Sequence, residues 1–155
     1  MKLKVLITLC ILLALSACGA KKEQGASPAP YFSLKDINGK TVTLEDFKGK
    51  PFILVFWATW CPTCRKEIPI LNKLAQEGHM VVAITLNRDR KQVKRFVEEH
   101  HIIYPVLMGT YQVTIDYGNI RFIPTAFFIN AKGYIVEKFV GMLPEEKVKE
   151  FFKEH

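Results

Sequence analysis

Six consecutive apolar residues, Phe52-Ile-Leu-Val-Phe-Trp57, stand directly after Pro51 with no polar position among them. Alternation would give a strand one wet face. A short unbroken run reads instead as a central strand buried on both faces. Such a strand needs neighbours along both edges and layers above and below, so the run by itself demands a covered sheet. A helix that supplies one layer follows at once. From Pro62 to about Glu77, Ile68, Leu71, Leu74 and Ala75 fall on one stripe, and Gly78 ends the segment. Pro69 lies inside it and predicts a kink.

The rest of the chain repeats these themes. Phe32–Ile37 and Thr41–Leu44 flank Asn38-Gly39, a strong hairpin signal. Met80–Leu86 is a second apolar strand. Asp89 with Gln92 resembles a capping box and opens a helix with Val93, Phe96 and Val97 inward. Ile102–Tyr117 reads as a loop plus a short helix. Thr125–Ile129 and Tyr134–Val140 form a hairpin around Asn130-Ala-Lys-Gly133. Pro144 opens a last helix, with Glu145 and Glu146 at its positive end and Val148, Phe151 and Phe152 inward. With 155 residues, 49% of them hydrophobic, the chain has the scale of one domain. The expected class is α/β, a central mixed sheet flanked by helices.

The N-terminus reads as an address. Lys2 and Lys4 precede the apolar stretch Val5–Leu15, which is too short to span a bilayer comfortably. Leu15-Ser16-Ala17-Cys18 resembles the bacterial lipobox, which implies a signal peptide over 1–17 and a lipid on Cys18. A lipid anchor attaches a soluble domain without a spanning helix. The segment to Pro30, rich in Ala, Gly, Ser, Pro and charged residues, is expected to be a mobile tether. Residues 31–155 form the domain. The net charge of +7 is spread along the chain, with one cluster at Arg88, Arg90, Lys91, Lys94 and Arg95. It reads as solvated helix faces, and export argues against a nucleic-acid partner.

Of four cysteines, Cys10 leaves with the signal peptide and Cys18 carries lipid. Cys61 and Cys64 remain. Their loop is too small to stabilise much as a cross-link, so reactivity is the better explanation for the pair. Trp60-Cys61-Pro62-Thr63-Cys64 lies at a strand-to-helix junction. That places Cys61 at a helix N-terminus, where free N–H groups and the dipole favour a thiolate. Pro62 suits the first helical position. Cys64 sits on the same side of the first turn, more covered than an exposed Cys61. The expected chemistry is attack by Cys61 and resolution by Cys64. Two other readings stay open. Zinc would need further ligands, and His79, His100, His101 and His155 offer no matching pair. Cu(I) suits two thiolates but wants an added donor such as Met108 or His101. Glu67, a turn beyond Cys64 beside Ile68 and Leu71, is either a proton acceptor with a raised pKa or a solvated acid. Trp57 is either core or substrate surface. Arg65 and Lys66 are thiolate partners or a solvated pair.

Phe56-Trp-Ala-Thr-Trp-Cys-Pro-Thr-Cys-Arg-Lys-Glu-Ile-Pro69 resembles the active-site segment of the TlpA/ResA-like thiol–disulfide oxidoreductases of the thioredoxin superfamily. Phe122-Ile-Pro-Thr125 resembles that superfamily's cis-proline loop. The resemblance covers nearly the whole domain, with the early hairpin as an N-terminal extension. It implies that Pro124 is cis and faces Cys61. It also implies that Glu67 acts on Cys64, since ordinary thioredoxins carry a buried Asp where this chain has Val55. Trp60, Pro62, Thr63, Ile123 and Pro124 are then the substrate-contacting positions. The redox-active disulfide is the only cofactor implied. Exported proteins, apocytochrome c among them, are the substrates, and a membrane thiol-transporting protein is the electron donor. Ile123 before the proline suggests a reductant. Oxidase, isomerase and peroxidase activities stay open, although the loop typical of a peroxidatic cysteine is missing before Cys61.

Overall fold

The structure, a computed structural model, describes residues 25–155. The expected signal peptide over 1–17 and the expected lipidation site Cys18 lie outside the described residues. These residues fold into an eight-stranded mixed sheet with helices on both faces. The strands are β1 (Ser27–Pro28), β2 (Ser33–Asp36), β3 (Thr41–Thr43), β4 (Phe52–Trp57), β5 (Val81–Thr85), β6 (Val106–Met108), β7 (Thr125–Ile129) and β8 (Tyr134–Val140). Their spatial order is β1-β8-β7-β4-β5-β6-β2-β3. β4, β5 and β6 run parallel to one another, and every other pairing is antiparallel.

The apolar run does what its composition requires. Every residue of β4 is buried. Ile53, Val55 and Trp57 enter one core, whereas Phe52, Leu54 and Phe56 enter the other, because successive side chains point to opposite faces. The first core packs against α1 (Pro62–Gln76), α2 (Arg90–Glu99) and α4 (Glu145–Glu154) through Ile68, Leu71, Leu74, Val93, Val97, Val148 and Phe151. The second lies under α3 (Tyr111–Asp116) and the 3-10 turn Leu44–Phe47, with Phe56, Tyr117 and Phe127 in edge-on and tilted aromatic contact. α1 continues as one helix through Pro69. At the start of α2, the Asp89 carboxylate accepts the Lys91 and Gln92 backbone N–H groups at 2.9 and 3.2 Å. Gln92 thus contributes its backbone to the cap.

Two elements differ from the sequence expectation. Ile102–Tyr117 contains a strand as well as a helix: Val106–Met108 extends the parallel part of the sheet beside β5 and receives β2 on its other edge. Three residues after a proline carry too little periodicity to be read as a strand. Ordered pairing also begins before Tyr31, in a stretch whose composition suggests a tether. Ser27 and Pro28 pair with Ile135 and Tyr134, Ala29 donates to the Gly133 carbonyl at 2.9 Å, and Ala29 is buried. An edge strand offers free backbone groups to any chain segment beside it, whatever its side chains. No described helix is long and apolar enough to cross a membrane.

Candidate active site

The site forms where β4 and β5 end and α1 begins. The apolar strand stops at Trp57, and Ala58–Trp60 turn the chain into the helix, with Cys61 N–H on the Ala58 carbonyl at 3.2 Å. This turn is pinned by a buried polar network that the sequence reading did not identify. Asn87, just past β5, accepts the Thr59 N–H at 2.9 Å and the Thr85 hydroxyl at 2.9 Å. Its amide nitrogen donates to the Thr59 hydroxyl at 2.8 Å. The only clue in the sequence was a polar residue closing an apolar strand, at the strand end where α/β proteins place their sites.

Cys61 is the N-cap of α1, and Pro62 occupies the first helical position without leaving an N–H unpaired. The Cys61 sulfur accepts the Cys64 backbone N–H at 3.2 Å. An oriented donor and the helix dipole therefore both stabilise negative charge on that sulfur. Cys61 and Cys64 are joined as a disulfide, with Cα atoms 5.3 Å apart. Cys64 is covered, as the helix geometry required. Cys61 is also buried, at 5% exposure against 2%, which corrects the expectation of an exposed sulfur. In the oxidised form one sulfur is bonded to Cys64, and the cis-prolyl loop closes over it. The Ile123–Pro124 peptide is cis, and the Ile123 carbonyl oxygen lies 3.7 Å from Cys61 Sγ. The Pro124 carbonyl is taken by the Gly141 N–H at 2.8 Å, and the Phe122 carbonyl by the Thr125 hydroxyl at 2.7 Å. The loop is thus held between β8 and its own turn.

Glu67 is almost wholly buried, at 1% exposure, one turn beyond Cys64 on α1. Its carboxylate accepts the Leu143 N–H at 2.6 Å. Burial outweighs that hydrogen bond and raises the carboxyl from 4.5 to about 7. The solvated alternative for Glu67 is excluded. Tyr104, also buried, is pushed up by burial and by the Glu67 charge, which places the two side chains within electrostatic reach. Neither Leu143 nor Tyr104 carries a local signal that links it to Glu67.

The remaining residues sort clearly. Trp57 is core, its ring tilted against Phe96 at 5.7 Å, and among the described residues its buried indole N–H has no hydrogen-bond partner. Trp60 is 66% exposed beside the disulfide, and Phe122 is 71% exposed beside the cis-proline. Pro62 and Thr63 lie exposed on the first turn. Arg65 stacks its guanidinium on Phe96 at 5.8 Å. Of the four histidines, His79 stacks on Phe152, His100 on Phe96 and His155 on Phe151, and His101 is exposed.

A helix-capping disulfide facing a cis-prolyl loop, on a mixed sheet with helices on both faces, defines a thioredoxin-fold thiol–disulfide oxidoreductase. Residues 24–153 match the Redoxin family, and the chain belongs to it. It is 32% identical over 137 residues to the thiol-disulfide oxidoreductase ResA of Bacillus subtilis (strain 168), covering 86% of this chain and 76% of ResA. A thiol:disulfide interchange protein of the thioredoxin family from Chlorobium tepidum TLS superposes with a TM-score of 0.74 at 35% identity, over 83% of this chain and 95% of that one. The pneumococcal exposed lipoprotein thioredoxin from Streptococcus pneumoniae strain TIGR4 superposes with a TM-score of 0.71 at 27% identity, over 81% of this chain and all of that one.

Proposed function

We propose that this oxidoreductase works outside the cytoplasm as a protein-disulfide reductase, anchored by a lipid on Cys18. The observation that supports the chemistry is a Cys61 sulfur that accepts the Cys64 N–H, with a buried carboxyl, Glu67, raised to about 7 one turn beyond Cys64. The dithiol form attacks a substrate disulfide with Cys61 thiolate. One substrate sulfur bonds to Cys61 and the other leaves as a thiol. Cys64 then gives its proton to the Glu67 carboxylate and attacks the Cys61 sulfur. The second substrate sulfur leaves and takes up a proton. Two electrons and two protons pass to the substrate, and the Cys61–Cys64 disulfide returns. No cofactor beyond that disulfide is invoked. Trp60, Pro62, Thr63, Ile123 and Pro124 surround the reacting sulfur and serve as the docking surface for an extended chain.

Ile123 before the cis-proline favours reduction, and the pneumococcal relative, an exposed lipoprotein thioredoxin, favours the anchored location. The family resemblance extends the proposal to exported substrates, apocytochrome c among them, with electrons from a membrane thiol-transporting protein. A redox titration of the purified protein against thiol buffers, followed by Trp fluorescence, tests the direction. A potential at or below about −270 mV supports a reductase, and one near about −120 mV would make it an oxidant. Labelled fatty acid incorporated by the wild type and lost in Cys18→Ala tests the anchor.

A further inference from the structure

Next to the cis-prolyl loop lies a recess of about 370 Å³ between the end of α3 and the paired strands β7 and β8. Its lining includes Gly118, Asn119, Arg121, Phe122, Lys138 and Val140, and no acidic residue lines it. We infer that this recess is a subsite for the carboxylate of an acidic side chain on the polypeptide substrate, held between Arg121 and Lys138. The inference rests on the reading of the disulfide as a protein-disulfide exchange centre.

Two cations line this recess, and among the described residues no carboxylate neutralises either of them. Among the described residues, the Arg121 guanidinium donates to the Asn119 side-chain oxygen at 3.3 Å. The Lys138 ammonium stands 5.4 Å from the Phe127 ring centroid, and a Cβ at Gly118 would lie 3.7 Å from it. The carboxylates nearest in sequence are engaged elsewhere. Asp116 holds the Gln112 amide at 2.7 Å, and Glu137 holds Lys147 at 2.6 Å. Two uncompensated positive groups on a concave wall focus potential on an incoming anion.

The lip of the recess argues for a polypeptide rather than a free ion. Phe122 (71% exposed) and Val140 (53% exposed) flank it, so a chain that enters buries apolar surface while its acid meets the cations. The position ties it to the chemistry. Arg121 and Phe122 lead directly into Ile123, whose carbonyl is 3.7 Å from Cys61 Sγ. A strand laid along this loop with its cysteine on Cys61 carries a neighbouring side chain over Arg121.

The test uses the reduced full-length protein in detergent and three disulfide-closed peptides that differ only in Glu, Gln or Lys beside the attacked cysteine. Second-order exchange rate constants come from stopped-flow Trp fluorescence. The Glu peptide should react about tenfold faster than the Gln peptide and the Lys peptide slowest. The order should flatten between about 0.01 M and about 1 M salt, as the screening length falls from about 30 to about 3 Å. Arg121→Glu or Lys138→Glu should abolish or reverse the Glu/Gln ratio. Lys132→Glu, the same charge change on an exposed turn, should keep it. Equal rate constants for the three peptides, or a ratio that survives both substitutions, would overturn the inference while leaving the exchange activity standing. No exchange with any peptide would remove the reading on which it rests. Glutathione disulfide is the fourth probe. If its rate constant falls in Arg121→Glu as steeply as that of the Glu peptide, the recess takes any carboxylate and the polypeptide assignment fails.

Discussion

The Glu67 carboxylate accepts the Leu143 backbone N–H at 2.6 Å, across 76 positions of chain. Leu143 is itself buried and directly precedes Pro144, the N-cap of the last helix. One hydrogen bond therefore joins the first turns of α1 to the start of α4, behind the reactive disulfide. It is too weak to keep Glu67 ionised in the usual range, because burial raises the carboxyl more than the hydrogen bond lowers it.

This sets a pH dependence of stability. Between 4.5 and about 7 the unfolded chain has lost the Glu67 proton, while the native state retains it. The unfolded state then binds fewer protons, so stability falls as pH rises through this window. The contribution is fully present below 4.5 and gone above about 7, where the oxidised protein should be roughly 3 kcal/mol less stable on this account. Glu67→Gln keeps an acceptor for Leu143 and removes the charge. Urea unfolding at acidic and mildly alkaline pH should show the variant gaining on the wild type as pH rises. Parallel profiles for the two proteins would refute the assignment.

The order of attack is open to direct trapping. Cys61 caps the helix and accepts the Cys64 N–H, so it is the sulfur stabilised as a thiolate. Cys64→Ser should accumulate a mixed disulfide with a substrate peptide, visible by mass spectrometry under non-reducing conditions. Cys61→Ser should form none and lose turnover. Trapping through Cys64 instead would invert the roles.

Asn87→Ala should destabilise the protein by roughly 2–3 kcal/mol. It removes both partners of Thr59 and leaves that N–H and hydroxyl buried without compensation. Because Thr59 precedes Cys61 by two residues, the variant should also shift the redox potential of the pair. A surface substitution such as Lys132→Ala should move neither. Denaturation and redox titration on the same preparations separate the effects.

Gly109 holds its place through space rather than backbone twist. A Cβ there would lie 2.6 Å from the Thr85 carbonyl oxygen and 2.9 Å from Ile84 Cγ2. The Thr85 carbonyl cannot withdraw without losing the Gly109 N–H, which it accepts at 2.9 Å. Gly109→Ala should therefore cost about 1–3 kcal/mol in denaturant unfolding. An unchanged midpoint would show that the ends of β5 and β6 yield more easily than the packing indicates.

Most of the framework is local, and local patterns are what a sequence displays. An unbroken apolar run, a stripe at helical spacing, an Asn-Gly turn and a proline after the first cysteine give β4, α1, the early hairpin and the cap on Cys61 without reference to anything distant. Those patterns also identified the reactive pair, since helix geometry alone brings residues 61 and 64 together. The early edge strand Ser27–Pro28 and the short β6 escaped, because strands of two and three residues exist only through the neighbours they pair with.

What the tertiary structure decided is how the chemistry is tuned. Glu67 could be acidic and solvated or buried near neutrality according to whether another segment covers it, and Leu143 and Tyr104 arrive from far along the chain. Asn87 gains its meaning from Thr59 across 28 residues, and Ile123 from Cys61 across 62. Arg121 and Lys138 become one recess only when α3 and β8 meet. Burial and long-range hydrogen bonding depend on which surfaces face each other in three dimensions, and no spacing in the sequence encodes that.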